Sequence, residues 1–198
     1  MARVAMAMSG GVDSSVAAAL LKEQGHEVIG LHMKLYHGPE NEKRPKSCCS
    51  LDEAIDARTA CHRLDIPFYV LDYQKEFREL VIDYFVNEYS HGSTPNPCVT
   101  CNKKIKGDLL IKKVDELDCD YLATGHYARI SFNQETGRSQ LARPQDLRKD
   151  QTYFLHGITA HELQRLMFPL ADIIKPEVRK IASKLNLSAA KKPDSQEI

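Results

Sequence analysis

Four short apolar runs alternate along the chain with longer stretches whose apolar residues recur at helical spacing. The apolar runs predict strands at residues 4–8, 28–33, 67–71 and 121–124, the first two of them buried. The stretches after them predict helices at residues 16–21, 51–64, 77–89, 101–117, 160–166 and 177–187. Strands separated by helices form right-handed crossovers. The expected fold class is therefore α/β, a Rossmann-like parallel sheet with helices on both faces.

Two segments interrupt this alternation. Residues 128–144 switch to a period of two around a glycine-containing turn, which predicts a β-hairpin inserted on the α/β core. Residues 91–97 hold Pro95 and Pro97, so we expect neither helix nor central strand there. We expect a catalytic domain over residues 1–156 and the start of a small helical central domain over residues 157–198.

Composition and charge narrow the class of protein. The chain has 198 residues and a formal net charge of zero, so nucleic acid would have to bind through local basic patches. No apolar run approaches the roughly 20 residues of a membrane helix, and the N-terminus does not have the pattern of a signal peptide. Six cysteines without a secretory signal fit a reducing compartment. We expect a cytoplasmic protein with no membrane contact.

The most informative stretch is residues 9–15, SGGVDSS, which we call the Ser-Gly-Gly loop. It lies between the first predicted strand and helix, where glycines and a helix N-terminus form a cradle for phosphate. Ser9 and Ser14 can donate hydrogen bonds to phosphate oxygens, and Asp13 can cap the helix or help hold Mg²⁺. Neither a Walker motif nor a Gly-x-Gly-x-x-Gly motif is present.

Further candidate residues end neighbouring strands at the same edge of the sheet. Ligands of open parallel sheets bind at the carboxyl ends of the strands. Met33 ends the second predicted strand, where it can pack on an adenine ring. His126 follows the fourth predicted strand, and we expect it to have a structural, hydrogen-bonding role.

Cys98 and Cys101 form a Cys-x-x-Cys pair beside a predicted helix start and two lysines. Both neighbours lower the pKa of a thiol, which favours a redox or nucleophilic cysteine. We expect Cys101 to be the nucleophile because it begins the predicted helix. A zinc site would need two further ligands at matching spacing. An iron–sulfur cluster with a third cysteine stays open. Cys61 and Cys119 are expected to be buried, and Cys48 and Cys49 stay unassigned.

Five segments in the same order resemble the tRNA-specific 2-thiouridylase family of the N-type ATP pyrophosphatase superfamily, over essentially the whole chain. They are MSGGVDSS at 8–15, GLHMK at 30–34, TPNPCVTCNK at 94–103, ATGHY at 123–127 and KDQTYFL at 149–155. The resemblance implies an adenine nucleotide alpha-hydrolase-like fold. It also implies an enzyme, a tRNA-uridine 2-sulfurtransferase, that uses ATP and Mg²⁺.

In this family, ATP adenylates O2 of the wobble uridine of tRNA, and a persulfide sulfur then attacks C2. A sulfur-donor protein supplies the sulfur. One cysteine carries the persulfide, and the other is the nucleophile that releases sulfide or closes a disulfide with the carrier. The implied ATP site contains Ala7, Met8, Ser9, Gly10, Gly11, Val12, Asp13, Ser14, Met33 and Gly125. The implied nucleophile is Cys101, and the residues implied to contact tRNA are Asn96, Pro97, Cys98, Lys149, Asp150 and Gln151.

The chain departs from the family pattern in two places. Many members have a non-cysteine residue, often Asp, at the position of Cys98. The family also continues through a central domain and a C-terminal β-barrel, and residues 191–198 resemble the segment that leads into the persulfide cysteine. We therefore expect an N-terminal fragment without that cysteine. The alternatives are another adenylating amidotransferase or ligase of this superfamily, and a non-enzymatic nucleotide- or metal-binding module.

Overall fold

The computed structural model describes residues 1–35 and 51–192. The strands are β1 Arg3–Ala7, β2 Glu27–Lys34, β3 Phe68–Asp72, β4 Tyr121–Ala123, β5 Arg129–Asn133, β6 Arg138–Ala142 and β7 Leu166–Met167. The main sheet has five parallel strands in the spatial order β3-β2-β1-β4-β7. A separate antiparallel hairpin pairs β5 with β6 and confirms the inserted hairpin.

Helices connect these strands, and none of the described helices is long and apolar enough to cross a membrane. Two of them contain a wide, π-helical stretch, at Arg78–Ile82 and at Asn102–Leu110. The helices are α1 Val12–Glu23, α2 Leu51–Arg63, α3 74–90, α4 97–116, α5 Thr152–Leu155, α6 Ala160–Leu163 and α7 Lys175–Lys184.

Alternating residues of β1 build a core on each face of the sheet. Val4 and Met6 pack in a cluster with buried residues of α1, α2 and α7. Ala5 and Ala7 point the other way, into a cluster with buried residues of α3, α4 and α5. Such two-sided burial explains why β1 and β2 are apolar nearly throughout. The predicted parallel sheet with helices on both faces is confirmed.

The helix predicted at residues 160–166 is wrong at its C-terminal end. A capping box between Thr159 and Glu162 starts α6, which ends at Leu163. Leu166 instead begins β7, where it pairs with Leu122 on the edge of β4. A two-residue strand is too short to show a period, so its sequence could not distinguish it from a helix end.

The prediction that residue 97 lies outside a helix is also wrong. Pro97 opens α4, where its missing N–H is not needed and its fixed φ suits the first turn. The Asn96 carboxamide oxygen caps this turn by accepting from the N–H groups of Cys98 (2.9 Å) and Val99 (3.3 Å). Cys98 therefore lies in the first turn of the helix, and Cys101 one turn further along.

Residues beyond 156 contribute to the same core as the Ser-Gly-Gly loop. Leu170, Val178 and Ala182 are fully buried in the cluster that contains β1 and α1. The division into domains at residue 156 stays a prediction. Cys48, Cys49 and most of the segment expected to lead to a persulfide cysteine lie outside the described residues.

Candidate active site

The Ser-Gly-Gly loop connects β1 to α1 in a tight turn that its own hydroxyls hold in shape. Ser14 Oγ lies 3.1 Å from Ser9 Oγ and donates to the Gly11 carbonyl at 3.1 Å. Ser15 Oγ donates to the same carbonyl at 2.9 Å. The N-cap residue of α1 is Gly11, which has no side chain to cap the first turn. The backbone N–H groups there can thus serve an anionic ligand.

Two close backbone contacts fix the position of this loop. Gly10 has φ +79°, and a Cβ there would lie 2.3 Å from the carbonyl oxygen of Glu53 in α2. A Cβ on Gly125 would lie 2.8 Å from the backbone nitrogen of Ser14. The structure thus brings Gly125 directly against the loop, as the shared sheet edge predicts.

Met33 lies at the same edge of the sheet, near the end of β2. Ala7 pairs with Leu31, and the Met8 N–H donates to the Leu31 carbonyl at 2.8 Å, so Met33 lies just beyond the loop's first residues. The Met33 side chain is buried. Its predicted contact with adenine stays a prediction.

His32 also serves the loop, although the sequence gives no sign of it beyond a polar residue within an apolar strand. Its side chain is 1% exposed, and its Nδ1–H donates to the Met8 carbonyl at 2.8 Å. Burial lowers the pKa of this imidazole, partly offset by that hydrogen bond. His32 is therefore neutral at pH 7, and its hydrogen bond holds Met8, the residue before Ser9, in position.

Asp13 is the centre of a cluster that sequence reasoning missed. The Tyr127 hydroxyl donates to its carboxylate at 2.8 Å. The Lys175 ammonium contacts both carboxylate oxygens, at 2.8 and 2.7 Å, from the start of α7. Lys175 is separated from Asp13 by 162 residues, and local pattern carries no information about such a pair.

The two candidate cysteines lie on α4 at different depths. Cys98 is partly buried in the first turn, whereas Cys101 is only 5% exposed and packs in the core cluster that contains Ala7 and Met33. The helix start therefore acts most directly on Cys98, and the reason we gave for preferring Cys101 is wrong. No disulfide joins two of the described cysteines.

The segment at residues 149–151 is tied to the residues after β4. Gln151 accepts from the Tyr127 N–H and donates its own N–H to the Tyr127 carbonyl, both at 3.0 Å. Burial would raise the pKa of Asp150, but hydrogen bonds from Thr152 and Arg143 lower it on balance. The segment therefore contacts Tyr127, which follows Gly125 by two residues in the sequence.

Asn102 connects the cysteine helix to this segment. Its side-chain amide donates to the Phe154 carbonyl in α5 at 3.1 Å and accepts from Lys106 at 2.8 Å. Because Asn102 directly follows Cys101, this contact holds the cysteine turn against residues 149–155. The Ser-Gly-Gly loop, Gly125, the 149–151 segment and α4 therefore form one connected site.

His126 makes structural contacts of the kind that we expected for it. Its Nδ1 lies 2.7 Å from Thr124 Oγ1, and its ring meets Phe168 edge-on at 6.3 Å. Burial, together with the nearby Lys106 ammonium, lowers the pKa of His126 well below its usual value.

These two histidines predict a loss of stability in mild acid. Imidazoles of the unfolded chain have a pKa near 6.5, whereas the pKa values of His32 and His126 are lowered in the folded chain. On acidification the unfolded chain therefore binds protons before the folded chain does. From the two histidines, the free energy of unfolding should be level between about pH 7 and 7.5 and should fall below pH 6.5 by up to about 1.4 kcal/mol per pH unit for each histidine. Urea unfolding between pH 7.5 and 5.5 measures this slope.

A matched pair of variants isolates the contribution of His32. His32→Asn should reduce the slope, whereas His62→Asn, at an exposed position of α2, should leave it unchanged. An unfolding free energy that does not depend on pH over this range would contradict the prediction.

Comparison with known proteins places this site in a family. The family model described as "tRNA methyl transferase HUP domain" matches residues 2–198. The tRNA-specific 2-thiouridylase MnmA of Geobacter metallireducens is 52% identical over 99% of this chain and 54% of its own length. The enzyme of the same name from Clostridioides difficile is 48% identical, with the same coverage. The chain spans about half the length of the curated relatives it matches.

Solved structures share the fold at low sequence identity. A 4-thiouridine synthetase, in complex with RNA and ATP, superposes with a TM-score of 0.63 at 14% identity, over the whole of this chain and 44% of its own. The NMN synthetase of Francisella tularensis gives 0.55 at 17% identity, over 98% of this chain and 66% of its own. The family model and the curated relatives together show that this chain belongs to the tRNA methyl transferase HUP-domain family, that of the tRNA-specific 2-thiouridylases.

Proposed function

We propose that this chain is the ATP-binding catalytic part of a cytoplasmic tRNA-uridine 2-sulfurtransferase. The observation that carries the proposal is the uncapped Ser-Gly-Gly loop, which is connected through Gly125 and residues 149–155 to the helix of Cys98 and Cys101. A phosphate cradle joined to a pair of thiols suits a reaction in which sulfur attacks an adenylated group. The relatives that are about 50% identical are named for that activity.

ATP binds with its phosphates on the loop in this proposal. The backbone N–H groups at the start of α1 and the hydroxyls of Ser9 and Ser14 face the phosphates, and Met33 and Gly125 flank the adenosine. Mg²⁺ typically uses one or two carboxylates together with phosphates and water, and the Asp13 carboxylate fits that donor set. When bound, Mg²⁺ neutralises phosphate charge.

Sulfur transfer requires a nucleophile and an activated base. Adenylation of the uridine O2 releases pyrophosphate. The persulfide sulfur then attacks C2 and expels AMP together with that oxygen. The nucleophilic thiolate attacks the carrier cysteine, which breaks the S–S bond, leaves the outer sulfur on C2 and closes a disulfide between the two cysteines. We assign the nucleophilic thiol to Cys101, and the persulfide sulfur to a donor protein and a second cysteine that carries it. Because Cys101 is 5% exposed, its sulfur has to become accessible when the base enters.

The tRNA contacts proposed for α4 and the 149–151 segment agree with their positions. Asn96, Pro97 and Cys98 form the start of α4, one turn before Cys101, where a flipped base can approach the thiol. Lys149, next to Asp150 and Gln151, supplies a positive charge for the tRNA backbone.

An iron–sulfur cluster on the Cys-x-x-Cys pair is the alternative to thiol chemistry. Cys98 and Cys101 lie three residues apart on one helix, which suits two ligands of a cluster. Within residues 1–35 and 51–192, no group of three potential metal ligands surrounds them. We propose thiol chemistry because the helix start and the neighbouring lysines favour a nucleophilic thiol.

Binding and activity measurements test the proposal together. Calorimetry with the 198-residue chain should show ATP binding with preference over GTP. Gene deletion should remove 2-thiouridine from tRNA, measured by mass spectrometry of nucleosides, and the intact gene should restore it. A chain that binds no ATP would overturn the nucleotide site. Normal 2-thiouridine after deletion would instead favour another adenylating enzyme.

A further inference from the structure

The Ser-Gly-Gly loop contains a negative charge and no positive one. Asp13 is the charged residue of SGGVDSS, and the stretch has neither Lys nor Arg. A triphosphate brings several negative charges, and phosphate-binding loops of the Walker type carry their own lysine to meet them. Any side-chain cation that contacts phosphates in this loop therefore comes from another part of the chain.

Lys175 brings such a cation to the loop. Its ammonium lies 2.7 and 2.8 Å from the two oxygens of Asp13, the second residue of α1. Whatever contacts the Asp13 carboxylate lies at the phosphate-binding end of that helix. Tyr127 contacts both members of this ion pair. Its hydroxyl donates to the Asp13 carboxylate, and its ring centre lies 5.8 Å from the Lys175 ammonium.

Two features of its local surroundings make the position of Lys175 unfavourable for a positive charge. The residue is 7% exposed, and burial penalises an ammonium. It is also the first residue of α7, where the helix dipole repels a cation. Its backbone N–H is fixed by buried Asp146, which accepts at 3.0 Å. Local structure therefore does not explain the charge, and the loop it contacts does.

We propose that Lys175 is a phosphate-binding residue of this site, which neutralises Asp13 while the loop is empty and contacts the triphosphate when the nucleotide binds. This inference rests on the proposed ATP site. Binding exchanges one anionic partner of the ammonium for another, so Asp13 is released to face the cation that accompanies the nucleotide. The contribution of Lys175 should grow with the number of phosphates on the ligand.

Comparing nucleotides in one variant tests this dependence. Lys175→Met in the 198-residue chain should weaken ATP binding by about 10- to 100-fold, the range for one charged hydrogen bond. AMP binding should change by less than about twofold, since AMP lacks the outer phosphates. Lys175→Arg should keep most of the ATP affinity. Calorimetry with AMP, ADP and ATP gives the three affinities.

Two further variants separate this role from a structural one. Lys22→Met removes an ammonium at the far end of α1, where Lys22 contacts the Leu64 and Asp65 carbonyls, and should leave all three affinities unchanged. Asp13→Asn combined with Lys175→Met leaves no unpaired buried charge. The urea midpoint of this double variant should lie closer to the wild-type midpoint than that of Lys175→Met does. The double variant should still discriminate poorly between ATP and AMP.

The outcomes are distinct. A Lys175→Met chain that loses AMP and ATP affinity equally, or loses neither, overturns the inference and leaves the ATP site standing. Wild-type chain that binds none of the three nucleotides removes the ATP site and the inference together.

Discussion

Replacing Gly10 by alanine should abolish ATP binding and destabilise the fold by about 3 kcal/mol. The new methyl group would lie 2.3 Å from the Glu53 carbonyl oxygen, a backbone atom that cannot rotate away. Left-handed backbone costs an alanine about 1–2 kcal/mol, and overpacking adds about 1–3 kcal/mol. Relief requires α2 or the loop to shift, which displaces the N–H groups at the start of α1. Calorimetry and urea unfolding measure the two effects.

Gly25 provides the matched control at the other end of the same helix. Its φ of +83° resembles that of Gly10, but a Cβ there meets nothing within 4 Å. Gly25→Ala should therefore cost only the conformational part, about 1 kcal/mol, and should leave ATP affinity unchanged. Equal effects of the two substitutions would show that steric contact with Glu53 does not position the loop.

Loss of 2-thiouridine is the expected result of changing Cys101 to alanine in the cellular gene. Removing a nucleophile typically lowers turnover by several orders of magnitude, so 2-thiouridine in bulk tRNA should fall by about 100-fold or more. ATP affinity of the purified chain should stay within about twofold, because no thiol is needed to hold the nucleotide. Nucleoside mass spectrometry and calorimetry give the two values.

Cys119→Ala is the appropriate comparison because Cys119 is also 5% exposed. It lies in the loop before β4, where burial raises the pKa of its thiol. Its loss should cost some stability and leave 2-thiouridine in place. Full 2-thiouridine in the Cys101 variant would show that the Cys101 thiol is not the nucleophile of sulfur transfer.

The sequence predicted those parts of the site whose signal is local. The strand–loop–helix pattern around Ser9 and Gly10 is formed by neighbouring residues, and the first four strands each show an apolar run. Because the carboxyl ends of parallel strands share one edge, Gly125 could be placed beside the loop before any distance was known.

Tertiary contacts account for what the sequence did not show. Lys175 and Asp13 meet across the whole fold, and β7 exists only because β4 offers an unpaired edge. Pro97 misled for a different reason: proline excludes the interior of a helix but favours its first position, and only the Asn96 cap distinguishes the two. We preferred Cys101 as the nucleophile because we expected it to begin the helix, and that reason is wrong because the helix begins at Pro97. The assignment of Cys101 from the family resemblance stays a prediction.

The ion pair between Asp13 and Lys175 has a consequence for synthesis of the protein on the ribosome. Asp13 leaves the exit tunnel well before its partner, which follows 162 residues later. At about 5–20 residues per second, the early strands wait roughly ten seconds or more for the segment that completes their core. During that interval the nascent chain exposes apolar surface that β7 and α7 will cover. We expect it to need chaperone protection until Lys175 emerges.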